Sequence, residues 1–227
     1  MKRPVFAAAG VAGALGLVVS ACGGPAANGV GSKSATAILA AARSAAEGAQ
    51  AAHLVEVIDS GAQAGTVEFD QRSPSSAEGN FALANGWRYT ILQLGKTAYL
   101  KANTAFLSAN GFAAHSAKLS DQCIEYPIGP ENESSLDMYS AAHSILTDSL
   151  KASDPLTKGA TSTVDGQAVI AIHGHGSATL YVATTGTPYP VEEKTSSGTV
   201  TFSGWNEPLS LTAFSPCLTL AQANAGG

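Results

Sequence analysis

Residues 199–203 read Thr-Val-Thr-Phe-Ser, with hydroxyl and apolar side chains in strict alternation, and the same period of two recurs along most of the chain. Side chains two apart on a strand share a face, so the pattern specifies a sheet with one wet face and one apolar face. The candidate strands are 53–58, 66–70, 77–83, 88–94 and 98–101, then 161–164, 168–173, 178–184, 190–195, 199–203 and 209–214. Short connections join them, with Asn85-Gly86 and Asp165-Gly166 placed where hairpin turns belong. Strands this close in sequence pair antiparallel, because parallel neighbours need a long crossover.

Two stretches leave this period. Residues 36–50 are Ala-rich, with Ile38, Ala41, Ala42, Ala45 and Ala49 on one side, Ser34 as N-cap and Gly48 as the break. Residues 135–150 place Leu136, Tyr139, Ala142, Leu146 and Leu150 along one face, and Ser153-Asp154-Pro155 ends the helix. Residues 103–110 form a shorter helix, and 121–133, with Pro127, Gly129 and Pro130, read as a loop pinned by Cys123. The order helix, strands, helix, strands predicts an α+β fold, a curved antiparallel β-sheet with helices covering its concave face.

The N-terminus predicts export. Lys2 and Arg3 precede an uncharged run from Val5 to Val19, the arrangement of a secretory signal over residues 1–21. A spanning helix needs about 20 apolar residues, and this run is shorter and is followed by Cys-Gly-Gly-Pro. Val19-Ser20-Ala21-Cys22 resembles the lipobox of bacterial lipoproteins, in which the thiol after the cut takes a diacylglyceryl group. An ordinary signal peptide would also be cut after Ala21. Cysteine parity favours the lipobox: with Cys22 acylated, Cys123 and Cys217 are left to pair in an oxidising compartment, and otherwise an odd thiol remains. Two buried free thiols are the alternative to that bridge. The expected location is the outer face of the cytoplasmic membrane. Residues 22–32 then read as the lipidated cysteine and a flexible tether, 33–220 as one domain, and 221–227 as a disordered tail.

A chain that is 45% hydrophobic and 13% charged has material for a core. Its net charge is −5, more negative still once Lys2 and Arg3 leave with the signal, and no segment concentrates Lys and Arg. Nucleic acid is therefore not an expected partner. There is no Gly-x-Ser-x-Gly elbow, no His-Glu-x-x-His and no phosphate-cradling Gly loop, so neither an enzyme nor a bound cofactor is expected. His173 and His175 have the spacing of two ligands on one strand face, which keeps a metal-binding lipoprotein as one reading, although zinc wants three or four ligands.

The run Val164-Asp165-Gly166-Gln167, then Leu180-Tyr181-Val182-Ala183, Thr185-Gly186, Pro190, and Val200 through Pro208, resembles actinobacterial lipoproteins of the LolA-like superfamily, the LppX and LprG group. Tyr99-Leu100-Lys101 after Gly95-Lys96 matches a central strand of that pattern. The resemblance implies a half-barrel plugged by helices around a hydrophobic cavity, and a role in carrying or presenting lipids at the cell envelope. Met138, Tyr139, Ala142 and Leu146 are then the expected cavity lining, with ordinary helix-to-sheet packing as the alternative. Small side chains on both layers leave open whether the layers enclose a void or meet in a solid core. In the second case the chain is an adaptor for an envelope protein.

Overall fold

The computed structural model describes residues 26–61, 63–72, 75–151, 155–174 and 177–227. The signal at 1–21, Cys22, Ser153-Asp154 and His175 lie outside them.

Twelve strands form one sheet. A first meander comprises β1 (Ala51–Ile58), β2 (Gly65–Arg72), β3 (Ser76–Leu83), β4 (Arg88–Leu94), β5 (Thr97–Ala102) and β6 (Cys123–Pro127). A second comprises β7 (Thr157–Val164), β8 (Gln167–His173), β9 (Thr179–Ala183), β10 (Pro190–Lys194) and β11 (Gly198–Ser203), and a short β12 (Cys217–Thr219) ends the sheet. The spatial order is β12-β6-β5-β4-β3-β2-β1-β11-β10-β9-β8-β7, so the antiparallel pair β1·β11 joins the two meanders at the middle. Asp165 and Gly166 both have positive φ, 46° and 80°, which the tight β7–β8 turn requires. The sheet is curved, and helices cover its concave face.

The helices are α1 (Ala35–Glu47), α2 (Thr104–Ala109), α3 (Ser116–Leu119), α4 (Glu133–Leu136), α5 (Met138–Ser149) and α6 (Leu220–Asn224). Ser34 caps α1 as expected, its side chain accepting from Ala37 N at 3.3 Å. α1 lies against β8, β9 and β10, and α5 against β2, β3 and β4. Alternation sorts the strand residues: Leu54, Phe69, Ile170, Ile172, Val182 and Phe202 enter the core between sheet and helices. His53, Asp70, Tyr99 and Thr201 face the outer side.

Five segments depart from the sequence reading. Residues 26–32 are not tether: Asn28 donates from its backbone N and its Nδ2 to Thr184 O and Ala183 O, both at 2.9 Å, and Val30 is buried. Polar composition suggested freedom there, but the backbone finds partners beyond β9. Residues 121–133 contain a strand, β6, beside β5. The second helix is split at Asp137, whose carboxylate accepts from Ser140 N at 2.9 Å and restarts the chain as α5. Residues 209–214 form no strand: β1 and β11 beside them have both edges taken, and the chain has to travel from β11 to β6, where β12 pairs. They cross the outer face instead, setting Phe214 against Tyr99 and under Lys101 Nζ, 4.4 Å from the ring. The end of the chain is helical rather than disordered: Thr219 and Gln222 form a capping box at α6, and Ala223 is buried. β12 pairs with β6 in parallel, and Cys217 faces Cys123 in that register and is bonded to it.

Candidate functional site

α1 and α5 cover different halves of the sheet, and β1 and β11 between them, with part of β10, are left partly bare. A cleft of about 370 Å³ occupies this gap. Its floor follows from strand register. Glu56 on β1 is opposite Val200 on β11, and Val200 is opposite Glu193 on β10, so one row of the concave face reads carboxylate, isopropyl, carboxylate. Ile58 extends the floor, and Ile145, Asp148 and Ser149 of α5 form the wall.

The polar groups at this site are unevenly satisfied. Ser149 Oγ donates to Glu193 Oε2, joining the end of α5 to the sheet. Lys151 Nζ donates to Asp148 Oδ1 at the exposed rim. Arg43 of α1 donates to Leu150 O and bridges the two helices. Among the described residues no donor meets the Glu56 carboxyl. Burial pushes the Glu56 pKa up from its usual range, and the neighbouring Glu193 adds to the rise. Beyond the Ser149–Glu193 bridge lies a smaller recess of about 50 Å³, lined in part by Leu39, Leu156, Ile172 and Leu180.

The expected cavity residues lie elsewhere. Met138, Ala142 and Leu146 are 4%, 0% and 2% exposed and pack on β2–β4 as solid core. Gly79 shows how tight that layer is: a Cβ there would come within 3.0 Å of Met138 Sδ and 2.9 Å of the Phe81 ring. Tyr139 is half-buried, its N donating to Gln93 Oε1 at 2.8 Å, and it borders a separate depression of about 350 Å³ with Lys96 and Ile128. The most apolar stripe of α5 is thus the stripe that finds the sheet. The cleft is lined from the next stripe round the helix, where Ile145 alternates with polar Asp148 and Ser149. Glu56, Glu193 and Val200 gave no joint signal in sequence, since only pairing of β1, β11 and β10 unites them.

His173 Nδ1 lies 3.0 Å from Thr179 Oγ1. Among the described residues no group of three His, Cys, Asp or Glu is arranged to hold a metal ion. On the outer face Ser203, His53 and Asp70 share one row across β11, β1 and β2, beside a depression of about 450 Å³. His53 Nδ1 is 2.8 Å from Asp70 Oδ1, yet among the described residues no hydrogen bond joins Ser203 to His53. The row therefore lacks the nucleophile-to-base contact of acyl transfer.

The crystal structure of LprF from Mycobacterium bovis superposes on the chain with a TM-score of 0.58 at 16% identity, over 79% of this chain and 96% of that one. This is the LprF fold. The Mycobacterium tuberculosis lipoprotein LppX matches with a TM-score of 0.47 at 20% identity, over 78% of this chain and 99% of that one. No family model and no curated protein matches the sequence. The architecture implied by the C-terminal run is borne out at the level of fold, as a curved sheet with helices on its concave side. Among the described residues no helix is long and apolar enough to cross a membrane.

Proposed function

We propose that the chain is an exported lipoprotein, held at the outer face of the membrane through Cys22, that binds one small apolar or single-chain amphipathic molecule in the cleft between α5 and strands β1, β11 and β10. The observation that carries this reading is the bare stretch of concave sheet at β1, β11 and β10, where Ile58, Val200 and Ile145 face an open space. At about 370 Å³ it lies near the lower end of the roughly 300–1,000 Å³ usual for small-molecule sites. That size suits one chain better than a multi-chain lipid. Removing about 200 Å² of alkyl surface from water there would contribute about 5 kcal/mol. The sequence resemblance and the fold shared with LprF support the same reading.

The tight packing of Met138, Ala142 and Leu146 favours a second reading, a solid adaptor for an envelope protein. Extraction separates the two. The chain from Gly23 onward contains every described element and the disulfide, and is the form to purify. Solvent extraction and mass spectrometry should find a co-purifying single-chain molecule that a Val200→Trp form, with its cleft filled, has lost. Empty protein from several hosts would leave the adaptor.

A further inference from the structure

The cleft mouth is acidic on three elements, with Glu56 from β1, Glu193 from β10 and Asp148 from α5. Of the cations nearby, Lys151 bonds Asp148 at the exposed rim and offsets that carboxylate, which leaves Glu56 and Glu193, and Arg43 bonds Leu150 O. Lys194 sits on the outer face, 2.8 Å from Glu192 and over the Tyr181 ring. Glu193 receives one donor, Ser149, and Glu56 receives none among the described residues, so several carboxylate lone pairs at an apolar wall await N–H or O–H groups. An anionic head would meet these oxygens with like charge, and the lining hydroxyls of Thr195 and Ser197 are already engaged with each other and with Gly198 O. An ammonium head brings three donors and the opposite charge, while its chain runs along Ile58, Ile145 and Val200.

Resting on the reading of this cleft as a binding site, we infer that it selects single-chain amphiphiles with a primary ammonium head, which Glu56 and Glu193 hold, over those ending in a carboxylate. The test compares decylammonium, decanol and decanoate, identical in chain and different in head, by calorimetric titration into the chain from Gly23 onward at about 0.15 M salt, where long-range charge effects are screened. Decylammonium should bind about tenfold or more tightly than decanoate, the scale of one charge-assisted hydrogen bond, with decanol between them. Glu56→Gln and Glu193→Gln should each narrow that ratio. Glu68→Gln, exposed on the other face of the sheet, should leave it unchanged.

Decanoate binding as well as decylammonium would overturn the head-group preference and leave the carrier standing. Failure of all three to bind would remove both. An equal narrowing with Glu68→Gln would also overturn the inference, because the preference would then reflect the net charge of −5 and not the cleft.

Discussion

Glu56 interrupts the apolar face of β1 two residues after Leu54 and two before Ile58, and its chemistry is set by that position. Half-burial and the facing Glu193 raise its pKa in the folded chain, whereas in the unfolded chain it ionises near 4.5. Between those values the folded state holds more protons, so stability falls as pH rises from about 4.5 through the raised folded value. Glu56→Gln removes the ionisation and with it the fall. Its urea midpoint should equal the parent's near pH 4 and exceed it at neutral pH; a constant offset at both would show that Glu193 and burial do not act through this proton. The same residue is what the proposed ligand head meets, so a gain in stability accompanied by weaker ammonium binding would mark a functional carboxylate.

At the scale of elements, β12 is the piece least able to hold itself. It has three residues, pairs along one edge only, and is reached by a strap of irregular chain across the outer face. Cys217 and Cys123 tie it to β6 across a sequence separation of 94. A loop of that size is worth about 4 to 5 kcal/mol by chain entropy. Replacing both cysteines with Ala should lower the unfolding free energy in urea by about 4 kcal/mol, with the first proteolytic cuts between residues 206 and 216. A loss of well under 1 kcal/mol would mean that Phe214 on Tyr99 and the α6 contacts already hold the strap. α5 makes a related point: its N-terminus is fixed by the buried Gln93 accepting from Tyr139 N, a tie between β4 and the helix that no local pattern announces.

Across the whole molecule, the two meanders meet at β1·β11, and α1 and α5, each bound to one half, leave open the end of that seam at Glu56 and Ile58 while Leu54 and Phe202 stay buried. Because residues 26–32 pack on the domain, the proposed anchor at Cys22 lies only four positions from packed chain, so the domain would ride close to the bilayer. Intact cells fed a fatty-acid analogue should label the parent protein and not a Cys22→Ala form; persistence of label in the variant would refute anchoring at that cysteine. Two or more acyl chains, at about 0.8 kcal/mol per buried CH₂, would make that attachment durable.

Period, turn chemistry and cysteine parity are local or countable properties, and they sufficed for ten of the twelve strands, the outline of both long helices, the N-cap at Ser34, the turn at Asp165-Gly166 and the pairing of Cys123 with Cys217. How those elements meet was set by long-range packing. Residues 209–214 have the alternation of a strand but run from β11 toward β6 past inner strands whose edges are taken, residues 26–32 have the composition of a tether but meet open backbone groups at Thr184 and Ala183, and Met138, Ala142 and Leu146 are apolar enough for either cavity or core. The cleft is the plainest case. Glu56, Ser149, Glu193 and Val200 are spread over most of the domain's length, and only the register of three strands and the reach of one helix end bring them together, a long-range outcome of packing that no window of sequence contains.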